Sequence, residues 1–256
     1  MTIDVTEDAF LGGRVIIKQP AKGYRAGIDA VFLAASVPWP REQPSFRVLD
    51  IGAGVGTVGI CVAHRCLDAH VTLLERAPQL AALARANIER NRLAARVTVV
   101  EAALDAPAAV LEAADLASAS FDDVLANPPY HAEGRGTPAP DALKAASHAM
   151  PETGLDTWVR FMARMAKPGG TATMIHKAEA LAAVLAAFSG RFGDLRVLPL
   201  FARDGEPANR ILVQGIKGSR APLVLLPGWL LHGADNIFTL GAQSVLRQGA
   251  GIGLRT

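Results

Sequence analysis

Cysteine is scarce, with Cys61 and Cys66 the only two in 256 residues. They stand five apart and match no Cys-x-x-Cys pattern, so buried thiols on one helix are expected rather than a disulfide or metal clasp. The six histidines show no metal-ligand spacing, and no metal is expected. Long apolar runs are missing as well. The longest stretches without Asp, Glu, Lys or Arg are Ile51–His64 and Ala221–Ala234, 14 residues each and each broken by glycine. A membrane helix needs about 18 or more. Where a secretory leader would carry a basic head and an apolar core, the chain carries Asp4, Glu7 and Asp8. The expectation is a soluble cytoplasmic globular protein with no membrane partner. Charged residues make up only 20%, but half the chain is hydrophobic, which supplies a sizeable core and excludes a disordered chain.

The net charge of +2 selects no partner by itself. Its distribution is uneven: residues 9–28 contain Arg14, Lys18, Lys22 and Arg25 and no acid. Residues 47–190 sum to −2 and residues 191–256 to +4. Two basic ends around a near-neutral middle could present a basic rim to a polyanion, and solvated surface charge explains them equally well.

From Arg47 onward, strands alternate with helices. Arg47–Ile51, Val71–Glu75, Val97–Val100, Phe121–Ala126 and Thr171–His176 read as strands, with Arg196–Leu200 and Asn209–Gln214 as two closing strands. Helices are expected up to His64, over Pro78–Asn91, over Leu155–Ala166 and over Ala178–Phe188. Trp158, Phe161, Met162 and Met165 fall at helical spacing and read as core or as a dimer face. This order predicts an α/β fold: a doubly wound, mostly parallel, seven-stranded Rossmann-like sheet with ligands beyond the carboxyl ends of its strands. Pro38–Pro44 separates an N-terminal extension, residues 1–46, from the main unit, residues 47–256, within a single domain overall. Gly12-Gly13 before Arg14–Lys18 suggests a small β element, and Pro222–Leu231 one packed strand.

Asp50-Ile-Gly52-Ala53-Gly54-Val-Gly56 leaves a strand and opens a helix. The glycines permit torsions and a close approach that a Cβ would block. Glu75, with Arg76 after it, ends the next strand, where an acid can accept hydrogen bonds from a ribose diol. A dinucleotide site would place glycine where Thr57 stands. The D-x-G-x-G-x-G spacing instead resembles the cofactor loop of class I S-adenosylmethionine (SAM) methyltransferases.

Asn127-Pro128-Pro129-Tyr130 closes the fourth strand. An exocyclic amine or amide nitrogen is a poor nucleophile because its lone pair is conjugated. The Asn127 side-chain oxygen and the Pro128 carbonyl can accept both of its N–H groups and favour a pyramidal nitrogen. Consecutive prolines fix the backbone and donate nothing, and Tyr130 offers a flat face to a planar group. Because the methylated nitrogen is acidic while cationic, water can take its proton, and catalysis reduces to positioning.

With these motifs the chain resembles the bacterial tRNA (adenine-N6)-methyltransferases of the valine-tRNA-modifying type. The resemblance extends to Thr6–Arg14, Gln19-Pro20 and Gly23–Leu33 near the start, and to Asn209–Gln214, Lys217-Gly218 and Leu231–Arg247 near the end. It implies a class I SAM fold, SAM as cofactor and an RNA substrate, most specifically tRNA. By the same resemblance Asp50, Gly52, Ala53, Gly54, Gly56, Glu75, Arg76, the backbone at Ala103 and Leu104, and Asn127 bind SAM, and Asn127–Tyr130 hold the target amine. The stretch Tyr24–Asp29, with Gly27, would close over the methionine end, and Arg25 would meet its carboxylate. One departure stands out: Ala103, followed by Leu104, occupies the place where the family carries an acid for the cofactor's adenine amine, and Asp105 lies two residues on.

The turn-rich stretch His131–His148 beside the motif suits substrate engagement, with Arg135 and Lys144 for phosphate and the two histidines for a base. Protein glutamine amides and rRNA guanine amines are alternative acceptors for the same chemistry. A non-catalytic SAM- or RNA-binding module is an alternative of another class, and NAD(P) binding a more distant one.

Overall fold

The computed structural model describes residues 4–23, 25–40, 42, 45–129, 131–132, 149–150, 154–233 and 235–255. The chain opens with β1 (Val5–Phe10) and β2 (Val15–Pro20), an antiparallel hairpin, followed by α1 (Ile28–Ala35). Next come β3 (Phe46–Ile51), α2 (Thr57–Arg65), β4 (Ala69–Glu75), α3 (Pro78–Arg90) and β5 (Val97–Glu101). The middle holds α4 (Ala108–Ala113), β6 (Phe121–Ala126), the short β7 (His131–Ala132) and β8 (Ala149–Met150), then α5 (Gly154–Met165). It ends with β9 (Ala166–Lys177), α6 (Leu181–Phe188), β10 (Phe192–Phe201), β11 (Ala208–Lys217), β12 (Val224–Leu225), β13 (Trp229–Leu230) and α7 (Leu240–Gln243).

The main sheet runs β12-β10-β11-β9-β6-β3-β4-β5, with β13 also pairing β10. Seven of its strands are those expected, and the two-residue β12 and β13 bring the total to nine. The expected single strand over Pro222–Leu231 is thus corrected to two short ones. Pro227 cannot donate to a ladder and interrupts the pairing. All pairings are parallel except the two that flank β11. β9 starts five residues before the expected Thr171, because Gly169-Gly170 is accommodated within a strand whose register with β6 slips between Phe121 and Asp123.

Helices cover both faces. Residues of α1, α2 and α3 form one apolar core with the hairpin, and residues of α4, α5 and α6 form the other. α5 shows how sequence produces this layering. Val159, Phe161, Met162 and Met165 are buried along one side, while Trp158 stays half-buried.

The hairpin docks through a polar seam. Asn87 on α3 and Asn91, which caps the carboxyl end of that helix one turn on, each bond both the N–H and the carbonyl of a β2 residue, Lys18 and Ile16 respectively. Their amides thereby imitate a neighbouring strand. Asn87 is fully buried and also donates to the Val55 carbonyl at 3.0 Å. Losing it would leave buried backbone groups unpaired at about 1–3 kcal/mol each.

Cys61 and Cys66 are buried and unbridged. Among the described residues no helix is long and apolar enough to cross a membrane, and no group of His, Cys, Asp and Glu could hold a metal.

Candidate active site

β6, β3, β4 and β5 lie side by side. With strands about 4.8 Å apart, their carboxyl ends span about 14 Å. Over this edge opens a cavity of about 310 Å³. From beyond β3 it is bordered by Asp50, Gly52, Ala53 and Gly54, and from the end of β4 by Glu75 and Arg76. Ala103 and Leu104 border it beyond β5, and Asn127 and Pro129 beyond β6. The glycine loop and the Asn-Pro-Pro segment, 71 residues apart between Gly56 and Asn127, therefore face one space. Gly56, Gly27, Arg25 and Pro128 do not border it. Tyr24 and Tyr130 lie outside the described residues, as do Arg135, Lys144 and His148 of the turn-rich stretch; of His131 only the backbone is described.

The loop's geometry explains its glycines. Gly52 has φ +64°, and a Cβ there would stand 2.4 Å from the Trp158 ring. Gly54, at φ +57°, would send a Cβ into open space within the cavity. The loop is a cradle that side chains would fill.

Glu75 organises the cradle. One carboxylate oxygen accepts the Gly54 N–H and the other the Ala77 N–H, both at 2.8 Å. Each oxygen keeps a lone pair for a further donor, the pattern a vicinal diol requires. Asp50 is buried beneath the loop and accepts the Gly59 N–H at 3.0 Å. Burial pushes its carboxyl up to about 7; the Gly59 bond pulls it down and the charge of Glu75 raises it further. Burial and the nearby Asp50 also push the Cys61 thiol up to about 12, which keeps it unreactive.

Thr57, at the start of α2, borders the cavity with a buried hydroxyl that has no hydrogen-bond partner among the described residues. An orphaned hydroxyl, an open cradle and a doubly anchored carboxylate together fit an adenosyl ligand with an amino-acid arm. Beyond β5, Asp105 borders the cavity beside Ala103 and so stands within the ligand's space.

α5 borders the cavity through Gly154, Thr157 and Trp158, and the N-terminal segment forms a further wall through Lys22, Gly23 and Ala26. Buried Gln19 closes it into a loop: its Oε1 accepts the Ala26 N–H at 2.9 Å, and its Nε2 donates to Asp8 at 2.8 Å. Arg25 does not reach the ligand space where it was expected. Its guanidinium donates to Thr6 and the Pro20 carbonyl and pairs with Asp8, clamping the segment to β1.

The sequence alone does not single out Gln19, Lys22, Thr57 or Asn87, and it leaves Trp158 to the core or a dimer face. A signal existed only for Asn87 and Asn91, two amides one turn apart on an otherwise apolar helix face.

The sequence pattern of the methyltransferase small domain matches residues 30–160. The tRNA1(Val) (adenine(37)-N6)-methyltransferase of Bacteroides fragilis strain YCH46 is 27% identical over 191 residues, which cover 74% of this chain and 76% of that protein. Its namesake in Shewanella amazonensis is 34% identical over 124 residues, 48% of each chain. The crystal structure of a protein from Agrobacterium tumefaciens, described as a predicted O-methyltransferase, superposes with TM-score 0.72 and 30% identity, covering 88% of this chain and 98% of that one.

Proposed function

The chain belongs to the methyltransferase small-domain family and is a SAM-dependent methyltransferase, and from that premise we propose that its acceptor is the N6 amine of an adenine in tRNA. The observation that carries the reading is the place of Asn127, beyond β6 and on the same cavity as the glycine loop. Relatives named for adenine 37 of tRNA1(Val) support the choice of base and of RNA.

Bound SAM supplies an electrophilic methyl group on a sulfonium. Glu75 takes the ribose diol while its bonds to Gly54 and Ala77 hold it still. Asn127, which borders the cavity, would accept one N–H of the adenine amine, and the Pro128 carbonyl, next in the chain at the cavity's margin, the other, turning the lone pair toward the methyl. Tyr130 stacks on the base, which leaves its RNA stack to reach the pocket. Fixed acceptors and a fixed approach replace a strong general base.

The test offers methyl-labelled SAM with undermethylated tRNA, rRNA and release factors in parallel. Label recovered from tRNA as N6-methyladenosine is the expected result. Label on glutamine amides or on rRNA guanine would overturn the choice of acceptor while leaving the chemistry intact.

A further inference from the structure

Among the described residues the cavity is bordered by three carboxyl groups, Asp50, Glu75 and Asp105, and two cations, Lys22 and Arg76. SAM's methionine arm ends in a carboxylate, which such a surface repels unless a cation meets it. Arg76 directly follows Glu75 at the end of β4, on the nucleoside side by the ribose argument above. Arg25 is taken up by Asp8 and Thr6.

Lys22 stands differently. It borders the cavity, is exposed, and has no ion-pair partner among the described residues. Of the other basic residues in this stretch, Arg14 donates to the Leu11 and Arg247 carbonyls, and Lys18 lies 4.0 Å from Glu7.

The path of the chain fixes where Lys22 can act. At one end of the segment, Asn87 joins the Lys18 main chain to Val55 of the glycine loop. At the other, Asp29 pairs with Arg210 of β11 at 2.8 Å. The described residues between these anchors border the cavity through Lys22, Gly23 and Ala26 and lead from the glycine loop toward the β6 and β9 side of the sheet. That is the flank away from Ala103–Asp105, and so the flank that remains for the methionine arm.

We infer that the Lys22 ammonium binds the methionine carboxylate of SAM, the role expected of Arg25, while Arg25 acts one step back by holding the wall that carries Lys22. The inference rests on SAM as the cofactor.

Calorimetric titration of the full chain with SAM, S-adenosylhomocysteine and 5′-methylthioadenosine tests it, because the last lacks the amino-acid arm. Lys22→Ala should weaken SAM and S-adenosylhomocysteine about five- to tenfold and leave 5′-methylthioadenosine within about twofold. Lys22→Arg should restore most of the loss, and added salt should shrink the Lys22→Ala effect. Arg25→Ala, which loosens the wall, should weaken all three ligands alike. Unchanged SAM affinity in Lys22→Ala, or an equal loss for 5′-methylthioadenosine, would overturn the assignment. Selective loss of SAM and S-adenosylhomocysteine in Arg25→Ala would return the role to Arg25. A wild-type chain that binds none of the three ligands would overturn the cofactor reading and the assignment with it.

Discussion

The two flanks of the sheet use their polar residues for opposite purposes. On the β3–β4–β5 flank every pairing is parallel, and each strand's carboxyl end gives residues to the cavity. On the β9–β11–β10 flank the pairing turns antiparallel, and no described residue after Trp158 borders the cavity. Polar side chains there bond one another. Gln214 donates to Thr173 and accepts from Arg255, while Asp194 pairs with both Arg196 and Arg255. Crossover connections leave strand ends open for a ligand, whereas hairpin connections close them. Acids from elsewhere in the chain take up part of the basic excess of residues 191–256, with Arg191 on Asp156 and Arg210 on Asp29.

That contrast can be broken or sharpened by substitution, and the largest effect is expected at Asp50. Its folded carboxyl sits near 7 instead of the ordinary 3.8. Below about pH 3 both folded and unfolded chains hold the proton, and the group costs nothing. As pH rises toward 7 the unfolded chain ionises first, so wild-type stability falls and then levels off. Asp50→Asn should lack that slope and exceed the wild type by up to about 4 kcal/mol at pH 8. Urea unfolding at several pH values reads this out, and parallel curves would refute it.

Next comes Glu75→Ala, which strands two backbone N–H groups and removes the diol acceptor. SAM affinity should fall about 30- to 100-fold, and a loss below about threefold would detach Glu75 from the ligand. Gly52→Ala forces a Cβ onto Trp158 at a left-handed φ and should cost about 2 kcal/mol in stability. Adding Trp158→Ala should recover the steric part alone, which separates clash from backbone strain. The smallest effect belongs to the antiparallel flank. Arg255→Ala should cost about 1 kcal/mol and leave SAM affinity within about twofold. A large loss of SAM affinity there would erase the distinction between the flanks.

Much of this was legible in the sequence. The strands around the glycine loop announce themselves as short apolar runs bounded by turns, and Phe121–Ala126 is found with the boundaries expected. Glu75 and Asn127 could be placed because parallel strands deliver their ends to one edge. The destination of Arg25 could not, since it depends on Asp8 across a hairpin whose register no local pattern sets. Lys22 and Thr57 are ordinary residues until the fold leaves them, among the described residues, one without a counter-ion and the other without a hydrogen-bond partner. Trp158 sits on an amphipathic stripe, and periodicity alone cannot distinguish the stripe's edge at a cavity from its centre in the core.

The central claim is that Asn127 acts on the acceptor and not on the cofactor. Its most direct test pairs SAM titration with single-turnover methyl transfer to tRNA in Asn127→Ala. SAM affinity should stay within about threefold of wild type while transfer slows at least about 100-fold. Transfer at the wild-type rate, or a loss of SAM binding large enough to explain the slow transfer, would contradict it.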